Sequence, residues 1–165
     1  MSHWSNMSQS HSPVIVTHQD NLKFTVQIGR HRLTTDQPVS GGGEDAGPAP
    51  LDFLAASLGA CIAFYVQQFC AAREISHEGL RVEVGYHKVL SPSRVGGFDA
   101  RVVLPVDFPR QQLPMIERVV RNCPAHNTLA LGADVSMETK IGVAAERAID
   151  AGALTPRAKT VDSHR

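Results

Sequence analysis

Aromatic residues make up only 5% of this 165-residue chain, and it holds just three cysteines, Cys61, Cys70 and Cys123. Net charge is missing altogether, because sixteen Lys and Arg balance sixteen Asp and Glu. A chain without excess positive charge has no electrostatic footprint for nucleic acid or for an anionic membrane surface, so neither is expected as a partner. The opening residues, MSHWSNMSQSHSPV, have no basic start leading into an apolar stretch and no cleavage signature; export is therefore not expected. Thiols in a chain without an export signal point to a reducing compartment, with the cytoplasm as the default. One further absence is local: no charged side chain occurs between Phe53 and Ala72.

A run of that length can cross a membrane. It also carries Ser57, Gly59, Tyr65 and the adjacent amides Gln67 and Gln68, which lipid would penalise. We read it instead as a helix opened by Pro50 and running to about Glu74, buried nearly all round inside one domain. Proline is favoured at a first helical position, and Asp52 suits the positive end of the helix dipole.

The rest of the pattern is strand-rich. Val14, Ile15 and Val16 form a β-branched run, His18 to Asn21 a turn, and Leu22 to Ile28 alternates apolar and polar residues as a half-buried strand does. His31 to Asp36 adds a short third strand, and Pro38 to Pro50, rich in glycine and proline, is a loop. After the long helix, Leu80 to Tyr86 and Gly97 to Val106 form a hairpin broken at Ser91-Pro92-Ser93. Gln111 to Asn122 has helical spacing, Asn127 to Leu131 is a short helical turn, and Asp134 to Ile141 is a closing strand. The resulting fold class is α+β with antiparallel sheet. Residues 1–12 are read as a flexible lead, 13–141 as the domain and 142–165 as a loosely ordered tail. A single small sheet can cover only one side of an apolar helix, so a second subunit is a plausible source of the remaining cover.

Cys61 and Cys70 are nine residues apart and fall on opposite faces of a helix at ~100° per residue; they cannot act together within one chain. Cys61 follows Gly59, which leaves room for a ligand or a backbone to approach. Cys123 precedes Pro124, and a residue before proline is driven out of helical geometry. One thiol on a regular helix and another at a break is what a two-cysteine peroxidase needs: one is oxidised to a sulfenic acid and the other condenses with it to a disulfide. Buried cysteines more often serve as inert packing, and composition and spacing alone leave both readings open. Cys123 and His126 have no second pair of ligand spacing beside them, so no metal is expected.

The stretch Pro48-Ala49-Pro50-Leu51-Asp52-Phe53 through Gly59-Ala60-Cys61 resembles the central-helix motif of the OsmC/organic hydroperoxide resistance family. Asp36-Gln37-Pro38 and Gly42 to Pro48 look like the loop of its OsmC-like branch, and Cys123-Pro124-Ala125-His126-Asn127-Thr128-Leu129 is similar to its second cysteine motif. The resemblance spans Val14 to Ile141. It implies a homodimer with long helices packed back to back, wrapped by antiparallel sheets from both chains. It also implies reduction of organic hydroperoxides, with Cys61 as the peroxidatic and Cys123 as the resolving cysteine. No bound cofactor is implied; the electrons return from an external dithiol such as a lipoyl group.

The sequence departs from that family at two places. A carboxylate usually follows the proline at the helix start and orients an arginine over the reactive thiolate; here that position is Leu51, and Asp52 comes one residue, ~100° of helix, later. The first hairpin turn, His18 to Asn21, carries no arginine, which leaves Arg30 and Arg32 at the next turn as substitutes. A second reading therefore stands beside the enzyme: a non-catalytic dimer that binds a small hydrophobic ligand in its interfacial pocket. A purely structural dimer is the third.

Overall fold

The computed structural model describes residues 12–141. Three short strands, β1 (Val14–His18), β2 (Phe24–Ile28) and β3 (His31–Thr35), form an antiparallel sheet in chain order. Val16 lies opposite Val26, and Val26 opposite Leu33, which sets the register of the meander. Helix α1 (Pro50–Ala71) follows the loop. Then come a long antiparallel hairpin, β4 (Arg81–Leu90) and β5 (Ser93–Val103), and two short helices, α2 (Leu113–Arg121) and α3 (Pro124–Leu131). This is the α+β, antiparallel class that the sequence pattern implies.

The loop between β3 and α1 is organised by one buried carboxylate. Asp36 accepts N–H groups from Gln37 (2.8 Å), Glu44 (2.9 Å) and Ala46 (3.2 Å). Thr35 donates its hydroxyl to the Pro48 carbonyl at 2.8 Å. Glycine is required where the wrapping is tightest: a Cβ on Gly43 would strike the Gln37 carbonyl, and one on Gly47 the Thr34 carbonyl. Gly41 to Gly43 thus close a turn around Asp36. Burial alone would push the Asp36 carboxyl up, but the three backbone donors, helped by Lys23, hold it below its ordinary value. A carboxyl depressed in the folded state contributes stability that is whole above its unfolded value and is lost as pH falls through the lower folded one. Asp36→Asn should therefore flatten the stability–pH curve below about pH 4, as urea unfolding across that range will measure; a mutant curve parallel to the wild type would refute the assignment.

The core lies between α1 and the second half of the chain. Leu58, Ile62, Val66, Phe69 and Cys70 of α1 pack with Phe108, Ile116 of α2, and Cys123. Gly59 lets β4 come close, since a Cβ there would lie 3.1 Å from the Val84 side chain. The space beside this glycine is taken by a strand side chain. Gly59→Val should overpack that contact and cost about 1–3 kcal/mol, measured by urea denaturation.

Three expectations need correction. α1 is not buried all round: it packs on β4, α2, α3 and, more lightly, β5, while Leu54 and Phe64 on its other face are 42% and 57% exposed. It is long and apolar enough to cross a membrane by length and composition, yet one side is committed to protein core. Its end falls at Ala71, short of Glu74, which adopts a left-handed φ of 55°. Finally, residues 134–141, which belong to a second compact unit beginning at Asp134, carry no strand. Their alternation is strand-like, but a strand needs a neighbour to satisfy its ladder, and Val135, Met137 and Ile141 are exposed. The expected tail, 142–165, and nearly all of the lead, 1–12, lie outside the described residues.

Candidate active site

The site is built where α1 meets the start of α3. Pro124 occupies the first helical position of α3, as its fixed φ and missing N–H allow, and Cys123 becomes the N-cap with extended backbone (φ −64°, ψ 127°). Its carbonyl accepts the Asn127 N–H at 3.0 Å, and its side chain turns back into the core, where Cys123 is fully buried. There Cys61, half-buried on α1, packs against the same core cluster. Cys61 is the thiol whose proximity acts on Cys123; Cys70 is not among the groups that do. Cys70 is buried on the opposite side of α1, its thiol pushed up by burial and pulled back slightly by Arg73.

The two sulfurs have unlike surroundings. Burial pushes the Cys123 thiol up, the proximity of Cys61 adds to that, and the backbone N–H groups of His126 and Ala125 pull in the other direction. Cys61 is the one a solute can reach. A cleft of about 280 Å³ is lined by Leu58, Ile62, Phe98, Val120, His126 and Leu129, an apolar setting with one imidazole; neither cysteine lines it, although Ile62 follows Cys61 on α1.

Asp52 has other duties. Its Oδ2 accepts the Ala49 N–H at 2.9 Å, and its Oδ1 accepts the Tyr86 hydroxyl at 2.7 Å. The carboxylate caps the helix and ties it to β4, on the side of α1 away from Cys61, as the nine-residue offset requires. That hydrogen bond raises the Tyr86 phenol above its ordinary value, with burial adding to it. Arg30 and Arg32 stand exposed on the β2–β3 hairpin, Arg32 opposite Gln27. Tyr86, the partner of Asp52, escaped the reading from sequence.

A model of the OsmC-like protein family matches residues 41–138. The chain belongs to the OsmC family. Solved structures agree in fold with this OsmC-family chain. A protein from Psychrobacter arcticus 273-4 superposes with a TM-score of 0.67 at 22% identity, over 73% of this chain and 89% of that one. An OsmC-like protein from Mycoplasma pneumoniae gives 0.65 at 20% identity, over 74% and 89%. An organic hydroperoxide resistance protein OsmC from Legionella pneumophila gives 0.52 at 19% identity, over 73% and 91%. At these identities the likeness is one of fold. No curated relative matches by sequence.

Proposed function

We propose that this OsmC-family chain is a thiol-dependent peroxidase that reduces organic hydroperoxides in cytoplasmic defence against oxidative stress. The observation that carries the reading is a half-exposed Cys61 packed against the core cluster that holds buried Cys123, with an apolar cleft lined by Leu58 and Ile62 of the same helix. The Legionella structure, named for organic hydroperoxide resistance, supports it by analogy.

The cycle balances with a dithiol as the only reductant. The Cys61 thiolate attacks the distal oxygen of ROOH; the O–O bond breaks, ROH leaves after protonation, and Cys61 is left as a sulfenic acid. The Cys123 thiol then attacks the sulfenic sulfur, an S–S bond forms and water departs. An external dithiol, of the lipoyl kind, reopens the disulfide by two exchange steps and leaves as its own disulfide. The apolar lining of the cleft suits the organic part of the substrate.

A homodimer completes this reading. The side of α1 bearing Leu54 and Phe64 is left uncovered by the described residues, and Cys61 falls on the same stripe at ~100° per residue. Two copies meeting along it would bury the apolar surface and enclose the site. Steady-state reduction of cumene hydroperoxide by dithiothreitol, compared in wild type and Cys61→Ser, tests the proposal. Equal rates would end it.

One feature favours the second reading, a binder of a small hydrophobic ligand. Leu51 stands at the head of α1, and Asp52 is committed to Ala49 and Tyr86, which leaves the cleft apolar. An unreactive Cys61 together with a co-purified lipid-like mass would select it.

A further inference from the structure

We propose that His126 is the catalytic acid of the first step, its imidazolium giving the departing alkoxide the proton that makes it ROH. The inference rests on the peroxidase reading above and names a group which that reading leaves unassigned.

The first step needs a proton at one place. When the Cys61 thiolate attacks the distal oxygen, the O–O bond breaks and its electron pair stays on the proximal oxygen as RO⁻. An alkoxide is a poor leaving group, and a bare charge is costly in an apolar setting. The organic part of the substrate belongs in the cleft of about 280 Å³, whose walls include Leu58, Phe98, Val120 and Leu129. Among the described residues, His126 is the single ionisable side chain on that lining. Glu117 and Arg121 of α2 line a larger cleft that adjoins it, and the two clefts meet at Ala100, Val120 and His126.

Three features of the fold bring the imidazole to that point. The cleft borders the reactive thiol: Leu58 lines it three residues before Cys61, about 60° away round the helix, and Ile62 follows Cys61. His126 is half-buried in the first turn of α3, a turn fixed by buried Cys123, whose carbonyl accepts the Asn127 N–H. The ring is also oriented, because its Nδ1 lies 3.3 Å from the Asn127 side-chain oxygen. An amide oxygen only accepts, so Nδ1 carries the hydrogen of that bond and Nε2 is the nitrogen left to exchange a proton. Histidine is the side chain suited to both giving and regaining a proton near neutral pH. Nε2–H passes its proton to RO⁻, ROH leaves, Cys61 keeps the sulfenic oxygen, and the neutral ring takes a proton from water before the next turnover.

The test oxidises the full-length reduced chain in a single turnover, with loss of the Cys61 thiol followed after rapid mixing. Two peroxides carry the same phenyl ring. Cumene hydroperoxide releases an alkoxide, whereas perbenzoic acid releases a carboxylate, which departs without a proton. His126→Gln keeps a hydrogen-bonding side chain but cannot transfer a proton. It should slow oxidation by cumene hydroperoxide on the order of 10²-fold and leave oxidation by perbenzoic acid near the wild-type rate. His126→Ala should show the same selective loss. An equal loss with both peroxides would overturn the proposal and assign His126 to packing or substrate binding. No loss with either would overturn it as well. A wild type inert toward both peroxides ends the peroxidase reading and this proposal together, whereas an active wild type with unselective variants ends only this one.

Discussion

Cys61→Ser is expected to remove dithiol-dependent reduction of cumene hydroperoxide by a factor on the order of 10³ or more. The size of the loss follows from the chemistry of the attacking atom. A thiolate is a strong nucleophile toward peroxide oxygen, whereas a serine hydroxyl stays un-ionised at neutral pH and has no sulfenic state through which to pass electrons. No other thiol can substitute. Cys123 is fully buried, and Cys70 is buried on the far side of α1. Cys70→Ala should accordingly keep its turnover. Cys123→Ser should behave differently from both: one equivalent of peroxide is consumed, turnover with dithiol then slows, and dimedone captures a sulfenic acid at Cys61. Measured together as peroxide consumed per chain and as adduct mass, the three variants separate the attacking, resolving and bystander sulfurs. A Cys61→Ser protein that turns over like wild type would exclude the whole cycle.

In the proposed homodimer, Phe64→Glu should leave the chain monomeric. Phe64 is 57% exposed and Leu54 42% exposed on the same uncovered side of α1, and Phe64 stacks edge-on against Tyr65 at 5.5 Å. Large aromatics at the centre of an interface are common hot spots, and truncating one typically costs 2 kcal/mol or more, about thirtyfold in dissociation constant. A buried carboxylate adds an uncompensated desolvation penalty to that loss. Sedimentation velocity should give twice the chain mass for wild type and the chain mass for the variant. The wild-type Tm should rise with protein concentration and the variant's should not. An unaltered sedimentation coefficient in Phe64→Glu would move the interface elsewhere. Ile62→Ala offers the contrast: this residue is 1% exposed within a single chain, and its truncation should cost about 2–5 kcal/mol without changing the oligomeric state.

Legibility from sequence varied with the range of the interaction that decides each feature. The alternation of Phe24 to Ile28 and of Arg81 to Tyr86 is a local signal, and both segments are strands. The helical period of Leu113 to Val120 was equally local, and α2 covers it. Asp134 to Ile141 shows the same alternation and yet has no strand, because pairing depends on an edge that a sequence window does not contain. The apolar run from Phe53 to Ala72 announced a helix correctly, but hydrophobicity on every face says only that cover is wanted. It does not say that one side finds β4, α2 and α3 while the other stays open.

The amino-acid order alone determined the strand and helix types up to Leu131, the placement of Cys61 and Cys70 on opposite helix faces, and the break in helical geometry before Pro124. All of these follow from backbone sterics and from a period of 3.6 residues. Tertiary structure decided that Cys123 takes the N-cap position of α3, that it is buried in the core against which Cys61 packs, and that Asp52 turns toward Tyr86. Those outcomes join residues as far apart as positions 61 and 123, and only the packing of α2 and α3 on α1 sets which thiol faces which.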